Sequence, residues 1–222
     1  MANLLLDRIR VVFEDDGLIV VEKPAGLLTM ATDTERSRTV YAALRESANR
    51  KRPPGKIFIV HRLDREASGL LVFAKTVEAK EGLQDQFKDH SAGRRYIAVV
   101  EGRVHPGNFT IRSYLAENAE FRVYSTRKTA SGRLAVTHVR VIKGNPKATL
   151  IEVRLETGRK HQIRVHLAER GHPIVGDKAY GSRSNPIRRM ALHAAQLDFR
   201  HPLTGRSMHF EAPYPKSFSG LT

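Results

Sequence analysis

Short apolar runs rich in β-branched residues alternate with polar connections along most of the chain. Residues 11–13 and 18–21 are two such runs, and the Asp-Gly pair between them is a strong signal for a hairpin turn. Residues 57–60 and 69–74 predict two buried strands, while residues 150–156 alternate apolar with charged positions, the period of a half-buried strand. The pattern therefore predicts a structure in which strands dominate.

Helical periodicity is rarer. Thr76 can cap a helix that extends to about Asp89, because Ala79, Leu83 and Phe87 recur every four residues and form one apolar face. Residues 40–44 predict one short helical stretch.

Thr157 is predicted to cap a further helix, which Gly171 ends and in which Ile163 and Leu167 face inward. Residues 191–199 and 207–212 predict a terminal hairpin. Helices at irregular intervals among strands indicate the α+β class, with a mostly antiparallel or mixed β-sheet and flanking helices.

Composition limits the function classes. The 222 residues, 41% of them hydrophobic, can bury a core, and we expect one domain over residues 1–222 with no second domain. Cysteine is absent, which excludes disulfides and thiolate metal sites, and the apolar run at the start is too short for a signal peptide or membrane span. We therefore expect a cytoplasmic protein that binds no membrane. A monomer is our separate expectation for its oligomeric state.

The charge balance is strongly basic. Thirty-eight Lys and Arg against 23 Asp and Glu give a net charge of +15, which favours a polyanionic partner, and no basic amphipathic helix points to a membrane. Residues 103–147 carry many of these cations and predict a basic lobe, with residues 127–133 as a flexible loop in it. Nucleic acid is the predicted partner, although a merely solvated basic face is the alternative for the lobe.

The densest polar chemistry lies in His61-Arg62-Leu63-Asp64-Arg65, between the two predicted strands at residues 57–60 and 69–74. It sets one carboxylate between two arginines in a connection with rigid walls. Taken alone, Asp64 would most simply pair with a neighbouring arginine.

The sequence of this segment and its surroundings resembles the central motif of the RluA-type pseudouridine synthases, in which the Asp is catalytic. Further matching segments follow the family order over roughly residues 10 to 215. They are Lys23–Leu27, Ser68–Leu71, Tyr96 within residues 95–102, Thr157–Leu167, Gly171–Asp177, Leu192–Ala194 and Phe210–Pro213.

The resemblance implies a pseudouridine synthase fold, and because the chain enters a predicted sheet almost at once, we expect a single catalytic domain with no separate RNA-binding domain. The implied reaction is the isomerisation of uridine to pseudouridine in structured RNA, ribosomal or transfer, without cofactor or metal. Asp64 would be the essential carboxylate and Arg164 the arginine that pairs with it. Tyr96 would pack against the target base and serve the proton step at C5. Arg62 would enter the RNA stack when the target nucleotide is flipped out.

Leu70 and Ile163 are the predicted walls of the pocket. The predicted RNA contacts are Arg62, Arg65, Arg127, Lys128, Arg133, Lys160 and His161. The sequence departs from the usual family motifs at Ala67, Thr29-Met30 and Lys160. None of these departures removes a catalytic group; they concern hydrogen bonds around the site and the choice of substrate.

Two other classes are compatible with parts of the sequence. A metal-dependent nuclease would use His161, His166, His172 and Asp177, but the spacing of five between His161 and His166 is poor for one metal on a helix. A noncatalytic RNA-binding protein on the same fold would be signalled by loss of Asp64 or Arg164, and both residues are present.

Overall fold

The computed structural model describes residues 7–105, 107–128 and 130–222. The chain forms two compact units. The first comprises the described residues up to Ala92 together with Ala194–Ala212, and the second comprises Gly93–His193 together with Pro213–Thr222. Within the described ranges, no helix combines the length and the hydropathy that a membrane span needs.

Eleven strands are assigned within these ranges. In chain order they are β1 (Arg10–Glu14), β2 (Leu18–Lys23), β3 (Phe58–Ile59), β4 (Ser68–Ala74), β5 (Gly93–Glu101), β6 (Asn108–Glu117), β7 (Val123–Thr126), β8 (Arg133–Gly144), β9 (Ala148–Leu155), β10 (Leu192–Arg200) and β11 (Ser207–Glu211). The α-helices of the same ranges are α1 (Val40–Asn49), α2 (Val77–Lys88), α3 (Gln162–Glu169) and α4 (Lys216–Ser219). The predicted α+β class is confirmed.

The first unit is built around β4, all seven residues of which are buried. Its strand order is β1-β2-β4-β10, with β3 also on β4 and β11 on β10. The predicted hairpin of β1 and β2 and that of β10 and β11 are both confirmed as antiparallel pairs. Helix α2 packs Ala79 and Leu83 into the same apolar core as Leu70.

The predicted cap of α2 is confirmed, because Thr76 Oγ1 accepts a hydrogen bond from the Ala79 amide at 3.1 Å and Asp89 follows the last turn. Two other expectations need correction. Helix α1 is longer than residues 40–44 and is capped by Thr39. The strand at residues 57–60 shortens to β3, whose two residues are half-buried.

The second unit has the strand order β5-β9-β8-β6-β7, and each of these neighbouring pairs is antiparallel. The predicted basic lobe contains two long strands, β6 and β8, rather than only short ones. Residues 127–132 connect β7 to β8, and the part of the predicted flexible loop at residue 129 lies outside the described residues.

The prediction of a half-buried strand at residues 150–156 was wrong in one respect. Glu152 is only 7% exposed, although its place in the alternation predicted solvent. Burial tends to raise the pKa of Glu152, but hydrogen bonds and charge from Arg140 and Arg95 hold that pKa below its usual value. Two guanidiniums thus compensate for burying the carboxylate.

Candidate active site

Asp64 lies in the connection between β3 and β4, where burial alternates along the backbone. Leu63 and Ala67 are 5% and 1% exposed, whereas Asp64 is half-buried and Arg62 and Arg65 are exposed. The two buried apolar side chains fix the connection to the protein. The carboxylate and the two flanking cations are therefore presented at the surface of the first unit.

The backbone of Leu63 is held by one buried hydroxyl. Thr29 Oγ1 donates to the Leu63 carbonyl at 3.0 Å and accepts from the Leu63 amide at 3.1 Å. Thr29 is itself only 2% exposed. Both polar backbone groups of the residue before Asp64 are thus satisfied in the interior, which holds this part of the connection against the protein.

The backbone after Asp64 is held by a lysine with no exposed surface. Lys23 Nζ donates to the carbonyls of Arg65 at 3.0 Å, Leu27 at 2.7 Å and Pro24 at 3.0 Å. The Arg65 carbonyl also accepts from the Gly26 amide at 2.8 Å. The Lys-Pro-Ala-Gly segment therefore holds the backbone that follows Asp64 through hydrogen bonds to the Arg65 carbonyl.

His61 fixes the other end of the connection. Its ring stacks on Phe87 of α2, with centroids 4.4 Å apart, and its Nε2 accepts a hydrogen bond from the Val72 amide at 3.2 Å. Accepting at Nε2 requires the tautomer protonated at Nδ1. Asp64 consequently lies between two anchored stretches of backbone.

Gly69 explains why the motif continues with Ser-Gly after Asp64. Its φ is +112°, a conformation that L side chains rarely adopt. A Cβ at this position would lie 2.2 Å from the carbonyl oxygen of Ala194. Only glycine lets the start of β4 pass this close to the neighbouring backbone.

In the second unit, Arg164 is held by a carboxylate that the sequence analysis considered only as a metal ligand. Arg164 Nε donates to Asp177 Oδ2 at 2.7 Å, and Nη2 donates to Asp177 Oδ1 at 2.8 Å. The guanidinium also lies over the ring of Tyr180, 4.8 Å from its centroid. A bidentate pair with an aromatic face fixes the plane of a guanidinium in a way that lysine could not reproduce.

The helix that carries Arg164 does not begin at Thr157, so that prediction was wrong. Helix α3 starts after His161, which has a left-handed backbone with φ of 52°. Gln162 organises the turn instead, because its Oε1 accepts from Thr157 Oγ1 and from the Arg159 amide. Gly171 does end the helix, since its φ is +80° and its amide donates to the Ala168 carbonyl.

The remaining predicted pocket and catalytic residues are buried. Tyr96 lies on β5 opposite Val153 and is 8% exposed. Ile163 on α3 is 5% exposed, and Leu70 on β4 is 1% exposed within the core of the first unit. Their assigned roles stay predictions.

The predicted RNA contacts fall into two kinds. Arg127, Lys128 and Arg133 are exposed. Lys160 is also exposed, but it has an acidic neighbour, because its Nζ donates to Glu117, and it lies 5.6 Å from the ring centroid of Phe121. Asp64, Arg62, Arg65 and Leu70 belong to the first unit, and the other predicted site residues belong to the second.

The histidines considered for a metal site have other contacts. His161 Nδ1 shares a hydrogen bond with the Tyr180 hydroxyl at 2.8 Å. His166 is fully buried between Thr137 Oγ1 at 2.8 Å and Ser113 Oγ at 3.0 Å. Among the described residues, no three side chains of the metal-ligating types are grouped so that they could hold an ion.

The family model of RNA pseudouridylate synthase matches residues 17–169, a stretch that contains Asp64, Tyr96 and Arg164. The chain belongs to this family and is an isomerase that forms pseudouridine in RNA. The matched range also contains Lys23 and Thr29, which hold the backbone on either side of Asp64.

Curated relatives agree with this assignment. The chain is 41% identical over 228 residues to ribosomal large subunit pseudouridine synthase D of Zymomonas mobilis, covering 96% of this chain and 71% of that protein. It is 37% identical to the uncharacterized RNA pseudouridine synthase YhcT of Bacillus subtilis, with 95% and 70% covered. It is also 37% identical to ribosomal large subunit pseudouridine synthase D of Nitrosomonas europaea, and the match covers 96% of this chain and 64% of that protein.

Solved structures show the same fold. Human RNA pseudouridylate synthase domain containing 4 superposes with a TM-score of 0.80 at 21% identity, covering 98% of this chain and 92% of that one. Human RNA pseudouridylate synthase domain containing 1 superposes with a TM-score of 0.75 at 23% identity, covering 92% of this chain and 83% of that one. The predicted pseudouridine synthase fold is confirmed.

Proposed function

We propose that this chain modifies specific uridines in the RNA of the large ribosomal subunit, with Asp64 as the catalytic carboxylate. Two of the relatives described above carry the name ribosomal large subunit pseudouridine synthase D, which supports this substrate class over transfer RNA. The observation that carries the role of Asp64 is its anchored backbone, since Thr29 and Lys23 hold the residues on either side of it. A carboxylate held this firmly is suited to meet one atom of a substrate.

The reaction breaks the bond from N1 to C1′ of uridine and forms a bond from C5 to C1′. The proton at C5 is lost and N1 gains one, so the net change is an isomerisation without redox or added group. A carboxylate near C1′ can attack that carbon or stabilise positive charge that develops on the sugar, as carboxylates do in glycoside chemistry. We assign this role to Asp64.

Three other residues have proposed duties. Arg164 would be the arginine that serves the catalytic carboxylate, the role that the resemblance to the family gives it. Tyr96 would pack on the target base and take part in the proton transfer from C5. Arg62 would fill the gap in the RNA stack that the flipped nucleotide leaves, because a planar guanidinium can stack on bases.

RNA affinity would come mainly from phosphate contacts, as the net charge of +15 suggests. The residues that we assign to it are Arg65, Arg127, Lys128, Arg133, Lys160 and His161. The pocket walls would be Leu70 and Ile163. Residues 1–222 would act as one catalytic domain and as a monomer in the cytoplasm, and sedimentation of the purified chain tests the monomer.

The test of this proposal is Asp64→Asn, with Glu66→Gln as the matched control from the same connection, because Glu66 is an exposed carboxylate. Asp64→Asn should remove pseudouridine formation in a large-subunit RNA transcript while binding stays within several-fold, since phosphate contacts dominate affinity. Glu66→Gln should retain both. Chemical mapping of pseudouridine gives the readout.

The rival classes predict different results in the same assay. Pseudouridine formation by Asp64→Asn would overturn the catalytic assignment. A noncatalytic RNA-binding protein would bind the transcript without modifying it, and a nuclease would cleave it only with divalent metal. Mapping RNA from cells with and without the gene would identify the modified uridines.

A further inference from the structure

Three arginines of the second unit converge at the turn that follows β9. Arg159 Nε donates to the carbonyl of Leu134 at 2.9 Å, and Leu134 directly follows Arg133, the first residue of β8. Neither Arg94 nor Arg159 had a role in the sequence analysis. The contact with Leu134 fixes the side chain of Arg159 close to a second cation.

Arg94 approaches the same turn from β5. Its Nη1 lies so close to Gly158 that a Cβ at that glycine would be only 2.3 Å away. Gly158 directly precedes Arg159 in the chain. The absence of a side chain at residue 158 therefore gives the guanidinium of Arg94 its place next to Arg159.

Neighbouring groups of like charge repel one another. Burial, followed by repulsion from Arg133 and Arg94, lowers the pKa of Arg159 below its ordinary value. Within the described parts of the chain, neither Arg133 nor Arg159 forms an ion pair with a carboxylate. In the same ranges, the terminal amino groups of Arg159 donate to no protein acceptor.

A guanidinium carries five donors in a fixed fork that matches the oxygens of a phosphate group. An anion that met these cations would relieve their repulsion and accept hydrogen bonds from the terminal amino groups of Arg159. RNA supplies one phosphate per nucleotide, and its contacts with arginine position the strand whatever its sequence.

We propose that Arg94, Arg133 and Arg159 form a binding site for a phosphodiester group of the RNA. The proposal rests on the proposed function, because it takes RNA as the substrate, and it adds a positioning site on the second unit. This site would hold the RNA strand and take no part in the chemical step.

The sharpest test keeps the charge and moves one guanidinium. Gly158→Ala should displace the flexible end of Arg94 while the net charge stays the same. Arg133→Gln removes one exposed cation of the site, and Arg206→Gln removes one exposed arginine of the first unit as the matched control. The probe is a fluorescent oligouridylate, whose affinity is measured across a series of salt concentrations.

We expect Gly158→Ala and Arg133→Gln each to weaken binding roughly tenfold at low salt, the scale of one charge-assisted contact. The slope of log affinity against log salt should fall by about 0.7 for each lost phosphate contact on a single strand. Arg206→Gln should leave the slope unchanged. Thermal unfolding of each variant checks that the second unit is intact.

Slopes for Gly158→Ala and Arg133→Gln equal to that of Arg206→Gln would overturn the site. A loss with Arg133→Gln alone would also overturn it, because Arg94 would then take no part. Pseudouridine mapping with the wild-type protein separates this result from the proposed function. Lost binding in the variants with no pseudouridine formed by the wild type would support the site and contradict the function.

Discussion

Asp177 and Arg164 form a buried bidentate ion pair in which both carboxylate oxygens accept from the same guanidinium. Their side chains are 2% and 6% exposed. A buried pair of this kind costs desolvation when it forms, and the protein loses far more when one partner is removed. The orientation of Arg164 therefore depends on a residue thirteen positions further along the chain.

Asp177→Asn should lower the free energy of unfolding by about 3 to 5 kcal/mol, because it removes the charge of one partner of a buried ion pair. Pseudouridine formation should fall with it. Urea unfolding and single-turnover assays measure the two effects. The control is Glu120→Gln, which removes an exposed carboxylate of the same unit.

The double variant Arg164→Met with Asp177→Leu separates stability from activity. It should recover most of the lost stability, since well-packed apolar residues can replace a buried pair. It should stay inactive. A double variant with wild-type rates would show that Arg164 has no part in the reaction.

Thr29→Val keeps the shape of the side chain but removes the hydroxyl that serves both backbone groups of Leu63. Two buried polar groups then lose their partner, and we expect a loss of roughly 1 to 3 kcal/mol in the free energy of unfolding. The rate of the chemical step should fall while RNA affinity changes little, because the change moves Asp64. Thr29→Ser retains the hydroxyl and should recover the rate. Equal rates for Thr29→Val and Thr29→Ser would show that the hydroxyl does not position Asp64.

His166 makes stability depend on pH in the acid range. Burial lowers its pKa from 6.5 to about 4, against a small opposing effect of Glu169. The unfolded chain takes up a proton below pH 6.5 while the folded protein does not, so this stability is complete above pH 6.5 and is lost as pH falls toward 4. The loss should approach roughly 3 kcal/mol, at about 1.4 kcal/mol for each pH unit.

The measurement is urea unfolding at several pH values between 4 and 7. His166→Asn should be less stable at neutral pH and should show a flatter dependence on pH. His90→Asn removes an exposed imidazole at a position with φ of 66°, which asparagine tolerates, and it serves as the control. A slope that His166→Asn leaves intact would assign the dependence to other groups.

Arg62→Ala should impair extrusion of the target nucleotide. It should therefore be less harmful on RNA in which the uridine is already unpaired than on a structured stem-loop. Single-turnover rates on the two RNAs measure the difference. Identical defects on both would contradict the flipping role.

Tyr96→Phe keeps the ring and its packing but deletes the hydroxyl. It should bind RNA normally and slow the chemical step equally on both of these RNAs, if the hydroxyl takes part in proton transfer. A Tyr96→Phe variant with the wild-type single-turnover rate would show that Tyr96 serves only in packing.

Local patterns predicted the local structure well. The Asp-Gly turn before Leu18 and the hydroxyl of Thr76 act within a few residues of their own position, so the hairpin of β1 and β2 and the start of α2 could be predicted. Thr157 had the right residue type for a cap, but its hydroxyl bonds Gln162 and the Val136 amide instead. A long-range donor, the Val136 amide, took the place of the local amide that a helix cap would bind.

The supports of the candidate site could not be predicted in the same way. Thr29 and Leu63 are 34 residues apart, and no periodicity connects them. Asp177 belongs to a segment that resembles the family, but the sequence suggested only a role as a metal ligand for it. Its pairing with Arg164 depends on where α3 lies in the folded protein. The motif identified Asp64 itself, whereas the residues that hold it become visible only in the folded chain.

The burial of Lys23 makes it a chemical reporter on its segment. An amine with no exposed surface cannot meet an acylating reagent in solution until the carbonyls of Pro24, Leu27 and Arg65 release it. Its labelling rate, followed by mass spectrometry, would therefore measure how often this part of the chain opens. Slow labelling of Lys23 beside rapid labelling of exposed lysines would give the lifetime of the arrangement that holds Asp64 ready.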